Sequence, residues 1–120
     1  KSEAFAALET LSSAKEKFGV VIADPPAFVK SKKDLKPGAR GYRKLTRLAA
    51  KVVEHEGILC VASCSHHMPM DMYAEQVQRG VHDAGRSGRI LHVGGAGSDH
   101  PVHPNLPESA YLKCLLLQLD

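Results

Sequence analysis

Residues 18–28 read Phe-Gly-Val-Val-Ile-Ala-Asp-Pro-Pro-Ala-Phe. Phe18–Ile22 is a short apolar run, β-branched at three positions, and it stops at an acidic residue. This pattern predicts a buried parallel strand over 18–24. Pro25 and Pro26 follow, and neither donates a ladder hydrogen bond, so the strand ends there. In an open α/β sheet, ligands sit just beyond the carboxyl ends of the strands. Asp24 stands at that lip, and Phe28 brings a ring face a few residues later. Two readings stay open from these residues alone. Asp-Pro-Pro is either a strand terminator with a turn-forming Asp, or one wall of a site for a flat substrate.

The chain in order supports an α/β fold. Phe5, Leu8 and Leu11 recur at helical spacing, which predicts a helix over 3–17 with Lys15 and Lys17 in its last turn. Leu45, Leu48, Ala49, Val52 and Val53 form a second stripe, for a helix over 40–55 that Gly57 would stop. Ile58–Ser63 is again continuous and apolar, a second strand. Tyr73, Val77, Val81 and Ala84 give a third helix, beginning near a capping Asp71 and ended by Gly85. Strands are expected at 89–93 and 111–119, separated by a Gly- and Pro-rich loop. The order is α-β-α-β-α-β-β. Alternation implies parallel strands with right-handed crossovers. The last two strands have no helix between them, so one of them is expected to run antiparallel at or near an edge.

Composition bounds the rest. The chain has 120 residues, enough for one domain with a modest core. No stretch reaches the ~20 apolar residues of a membrane span, and no apolar run follows the first residues as it would in a signal peptide. Three cysteines make no disulfide framework and point to reduced thiols in a cytoplasmic setting. The net charge is only +3, but eight of the 16 Lys and Arg fall between Lys30 and Arg47, opposed there by Asp34 alone. Such a patch after the Asp-Pro-Pro lip suits a polyanion; a solvated helix face is the plainer alternative.

The second strand ends in Ser63-Cys64-Ser65-His66-His67. If the first two strands are parallel neighbours, Asp24 and Cys64 emerge at one edge of the sheet. A thiol there, near a helix start and a basic mouth, favours the thiolate and fits a nucleophile. Cys60 and Cys114, inside apolar runs, read as small buried hydrophobes. Cys60, Cys64, His66 and His67 match no common zinc spacing, and no metal site is expected. Val93-Gly-Gly-Ala-Gly97 lacks a following helix to bind phosphate.

Five motifs in order resemble one group of enzymes: Asp24-Pro-Pro-Ala-Phe28, Arg40-Gly-Tyr-Arg43, Ser63-Cys-Ser-His-His67, Asp99-His-Pro-Val102 and Leu106-Pro-Glu-Ser-Ala-Tyr-Leu-Lys113. They are similar to the bacterial, PUA-domain-containing, S-adenosylmethionine-dependent methyltransferases that modify carbon 5 of a cytosine in large-subunit ribosomal RNA. The resemblance covers nearly the whole chain. It implies a class I, Rossmann-like methyltransferase sheet. The family's glycine-rich cofactor loop and ribose-binding acidic residue have no counterpart here. Residues 1–120 therefore look like the C-terminal half of the catalytic domain, inactive alone. The resemblance implies S-adenosylmethionine as cofactor, with Asp24 and Pro25 beside its methyl group. It makes Cys64 the nucleophile and Asp24 a partner in catalysis. Phe28 would lie close to the base, Lys30, Arg40 and Arg43 on phosphates, and Tyr42 stacked on a base. Two alternatives remain at this level: a methyltransferase of an amino group, which needs no thiol, or a basic RNA-binding module without activity. A half sheet would also leave the first strand's edge bare, so self-association through that edge is expected.

Overall fold

The computed structural model describes residues 2–24, 32–63, 68–94 and 113–120. The elements are α1 (Ser2–Ser13), β1 (Phe18–Ala23), a 3₁₀ turn (Lys32–Asp34), α2 (Leu35–Ala50), β2 (Val53–Ser63), α3 (Met70–Asp83), β3 (Gly88–Gly94) and β4 (Lys113–Leu119). The sheet order is β1-β2-β4-β3. β1 and β2 are parallel, with Ile22 opposite Cys60 and Ala23 opposite Val61. β4 runs antiparallel to both β2 and β3. The expected order α-β-α-β-α-β-β and the antiparallel insertion near an edge are both present. β4 sits one place in from the edge strand β3. No helix among the described residues is long and apolar enough to cross a membrane.

One face of the sheet carries the core. Leu59 and Val61 of β2 and Leu115, Leu117 and Leu119 of β4 pack with Tyr42 and Ala49 of α2 and with Tyr73, Val77 and Val81 of α3. These strand residues alternate, as the period of two demands. The residues between them, Ile58, Cys60, Ala62, Cys114 and Leu116, face the other way and are only half-buried. On β1, Val20 and Ile22 are 62% and 71% exposed. No described helix covers that second face.

Element boundaries differ from expectation in four places. α2 starts at Leu35, not near 40, and takes Pro37 into its first turn, where a missing N–H costs no helical bond. It ends at Ala50, and β2 begins at Val53 instead of Ile58. Val52 and Val53 are buried, as the helical stripe predicted, but they are buried by the turn into a strand. Gly57 is not a helix stop. It lies at an irregularity where β1 advances from Phe18 to Val20 while β2 advances from Val53 to Ile58. Glu56 is left-handed there, at φ 61°, and a Cβ on Gly57 would stand 2.7 Å from Val53 Cγ1 and 3.0 Å from the Gly19 carbonyl. α1 stops at Ser13, so Lys15 and Lys17 lie beyond it; Lys17 Nζ instead donates to the Lys51 carbonyl at 2.6 Å. α3 is preceded by Pro69 as its cap, and Asp71 accepts from the Met72 N–H instead of capping.

Two tertiary devices hold the elements. At Gly80, α3 meets α2 so closely that an added Cβ would lie 2.6 Å from the Arg43 carbonyl. Just past α3, Arg86 donates to the carbonyls of Ala50, Val53, Glu54 and Asp120 and to the Asp120 carboxylate. One guanidinium thus satisfies carbonyls left open at the end of α2 and fastens the α2–β2 connection to the end of β4. Asp120 is held below the usual carboxylate range, chiefly by its hydrogen bond from Arg86.

Candidate functional site

The β1–β2 register brings the carboxyl ends of both strands to one edge. Ala23 is opposite Val61, and Asp24 follows, exposed. Ser63 closes β2 two residues beyond Val61. Cys64 comes next in sequence; with Pro25, Phe28 and Lys30 it lies outside the described residues. Of the expected site residues, Asp24, Arg40, Tyr42 and Arg43 can be located.

Tyr42 requires a correction. It is fully buried, at 0% exposure, and cannot stack on a base. Its ring meets Tyr73 edge-on, with centroids 5.3 Å apart, an arrangement aromatic quadrupoles favour. Its hydroxyl accepts a hydrogen bond from Ser63 Oγ at 2.7 Å. Tyr42 therefore anchors the end of β2, the residue before Cys64, from below. Burial pushes the Tyr73 hydroxyl far up, and that hydroxyl finds no hydrogen-bond partner among the described residues.

Arg43 bridges two helices. Its Nε and Nη2 grip Asp83 at 2.6 and 3.0 Å, a two-pronged bond between α2 and α3. The hydrogen bond from Arg43 holds Asp83 below its ordinary range. The guanidinium expected to meet phosphate makes this bond while its side chain stays 39% exposed. Arg40, one turn earlier, is exposed, as are Lys33 and Lys36. Lys36, Arg40 and Arg43 line a groove of about 270 Å³ with Ala39, Met72 and Gln76, at the amino-terminal ends of α2 and α3. Lys44 lies 4.7 Å over the Phe5 ring, which ties α1 to α2. Arg43 and Lys44 thus also make contacts within the fold, and Lys33, Lys36, Arg40 and Lys44 are exposed.

A larger hollow of about 580 Å³ lies among Lys17, Val53, Glu54, His55, Arg86 and Asp120. It opens at the amino ends of β1 and β2, the side of a parallel sheet where ligands are not held, and the Arg86 bonds occupy its wall. Among the described residues no three His, Cys, Asp or Glu side chains gather as metal ligands. Cys60 and Cys114 are not isolated core thiols: their sulfurs are 3.4 Å apart on the uncovered face. Burial first, then Cys114 and Asp24, push the Cys60 thiol up to about 11.

No protein-family model matches the chain. Its fold is that of methyltransferases. Two solved structures superpose with a TM-score of 0.72, a methyltransferase complexed with SAH at 20% identity and a SAM-dependent methyltransferase from Streptococcus mutans at 21%. They cover 95% of this chain, which spans 28–29% of theirs. A methyltransferase homologue from Pyrococcus horikoshii superposes with a TM-score of 0.64 at 14% identity, over 93% of this chain and 42% of its own. In sequence, the chain is 38% identical over 117 residues to ribosomal RNA large subunit methyltransferase I of Pseudoalteromonas atlantica, covering 98% of this chain. It is 35% identical over 113 residues to the enzyme of the same name from Escherichia coli. The chain spans about 30% of the length of these curated relatives.

Proposed function

We propose that this chain is the substrate-side half of an S-adenosylmethionine-dependent methyltransferase that acts in the cytoplasm on carbon 5 of a cytosine in large-subunit ribosomal RNA. The observation that carries the reading is the register of β1 and β2, which sets Asp24 beside the end of β2 where Cys64 follows. The relatives named for ribosomal RNA methylation support the substrate class. The exposed Lys33, Lys36 and Arg40 support a polyanion at the same edge.

The chemistry runs as follows. Carbon 5 of cytosine is a weak nucleophile. The Cys64 thiolate adds to carbon 6, and the ring's electron pair shifts to make carbon 5 enamine-like. Asp24 stabilises the protonated ring nitrogen. The cofactor, when bound, supplies an electrophilic methyl group to carbon 5. A base then takes the carbon-5 proton, the carbon 5–carbon 6 double bond re-forms, and Cys64 leaves. Phe28 flanks the base, and Lys30 and Arg40 bear on phosphates. In this reading Asp24, exposed at the end of β1, and Pro25, next in sequence, bear on the cofactor's methyl end. The sequence offers no glycine-rich strand-to-helix loop, so the cofactor's main cradle belongs to another part of the enzyme.

The test is tritium release. RNA labelled with tritium at cytosine carbon 5 is incubated with the full-length protein and methyl donor. One tritium is expected in solvent for each methyl group incorporated. Methyl incorporation with the tritium retained would sink the carbon-5 reading and favour an amino group as acceptor.

The bare edge of β1 carries a further expectation. β1 has no charged residue, no proline and no second neighbour among the described strands, the features of an edge open to pairing. We propose that the 120-residue chain associates with its own copies through β1. Sedimentation should give a species of twice the monomer mass or more. Ile22→Lys, at a position already 71% exposed, should restore the monomer. A compact monomer of the parent chain at micromolar concentration would refute this.

A further inference from the structure

Cys60 lies on β2 and Cys114 on the antiparallel β4, and both are free. In the register, Cys60 is opposite Leu116 and Cys114 is opposite Ala62. The two cysteines are therefore diagonal neighbours on one face, and their sulfurs meet at 3.4 Å. That face carries no described helix, and both residues are half-buried, so a small oxidant has a path to them. Their registered partners, Leu116 and Ala62, are apolar and offer neither thiol a competing hydrogen bond.

We infer that Cys60 and Cys114 form an oxidisable dithiol, which closes to a disulfide across β2 and β4 when a peroxide reaches the uncovered sheet face. The step balances. One thiol displaces water from hydrogen peroxide and becomes a sulfenic acid. The second thiol attacks that sulfur, a second water leaves, and the S–S bond forms. Two S–H bonds are lost, and the peroxide is reduced by two electrons to two waters. The sulfurs must close from 3.4 Å to about 2.05 Å; diagonal positions on neighbouring strands stand about 7–8 Å apart, so closure draws the backbones of β2 and β4 together as well as turning the side chains. Burial holds Cys60 as the thiol at neutral pH, which slows its attack on peroxide. The 3.4 Å contact then favours closure over further oxidation of either sulfur. The crosslink would lock the strand that carries Ser63 to its inner neighbour, so oxidation would stiffen the sheet beneath the candidate site. It does not depend on which base, if any, is methylated.

The experiment uses the full-length protein, as parent and as Cys64→Ser, with millimolar hydrogen peroxide, then N-ethylmaleimide and peptide mapping. The expected result is a Cys60–Cys114 crosslinked peptide within one chain in both proteins. Maleimide uptake at the two cysteines should fall roughly tenfold, thiol reductant should restore it, and the melting temperature should rise on oxidation. In Cys114→Ala, Cys60 should give a maleimide adduct or a sulfinic acid instead of a crosslink. Parent protein in which both cysteines take maleimide, or end as separate sulfinic acids, would overturn the inference. So would crosslinks found only between chains.

Discussion

Exchange of Cys64 for alanine is expected to abolish methyl transfer by the full-length protein and to leave its affinity for RNA almost unchanged. The two halves of this expectation have different physical origins. RNA affinity is set by phosphate contacts and counterion release. Cys64 carries no side chain that pairs with phosphate, whereas Lys33, Lys36 and Arg40 are exposed at the same end of the sheet. The chemical step depends on adding a nucleophile at carbon 6, without which carbon 5 has little electron density to offer. Losing that activation should slow single-turnover transfer by at least ~10³-fold, about 4 kcal/mol of barrier. Serine should fail nearly as badly, because its hydroxyl is far harder to ionise than a thiol. The measurement is single-turnover methyl transfer to ribosomal RNA, with binding followed separately by filter retention. Transfer within a few-fold of the parent in Cys64→Ala would remove the covalent mechanism. The site would then be one for an amino acceptor, which needs only a positioned lone pair.

The end of β2 at Ser63, the residue before that cysteine, was legible because the two strand ends follow from the residue pattern alone. The apolar run 18–22 can only be a strand if Pro25 and Pro26 end it, and Ile58–Ser63 repeats the pattern. Parallel pairing then follows from the helix between them. What the chain hid is instructive. Val52 and Val53 are buried whether they continue a helix or begin a strand, so their burial could not decide the α2–β2 boundary. Tyr42 sits among arginines in sequence, which drew it into the binding surface. Yet it lies three and seven residues before Leu45 and Ala49, on the buried stripe, and that spacing carried the signal. Arg43 could not be read in the same way. Its partner Asp83 is 40 residues away on α3, and no local pattern announces which of several arginines a distant carboxylate will hold. The Cys60–Cys114 contact likewise required knowing that β4 inserts beside β2.

Replacement of Gly80 by valine is expected to cost about 3 kcal/mol of stability, against what helix propensity alone predicts. A glycine inside a helix is about 1 kcal/mol worse than alanine, so a substitution on a solvent-facing turn would stabilise. Gly80 faces α2 instead. A Cβ there would lie 2.6 Å from the Arg43 carbonyl oxygen, 2.7 Å from Thr46 Cβ and 3.1 Å from the Arg47 amide nitrogen. Two of these are backbone atoms in the middle of a helix and cannot rotate away. Thr46 cannot yield easily either, since its hydroxyl donates to the Tyr42 carbonyl at 2.8 Å in a buried setting. The helices must therefore move apart. The Arg43–Asp83 bond and the Tyr42–Tyr73 ring contact oppose that movement, and moving apart would open the layer formed by Val77 and Val81. A domain of this kind has a total stability of about 5–15 kcal/mol, so the loss is a large share of it. With a urea slope of ~1–3 kcal/mol per molar, the unfolding midpoint followed by circular dichroism should fall by about 1 M or more. Gly80→Ala is the sharper arm. It adds only the Cβ, so propensity and overlap oppose each other directly, and the 2.6 Å approach predicts that overlap wins and the midpoint falls. An alanine variant more stable than the parent would mean that α3 stands further from α2 at this crossing than the fold requires. The bond from Ser63 to Tyr42 that steadies the end of β2 would then rest on a looser helix pair.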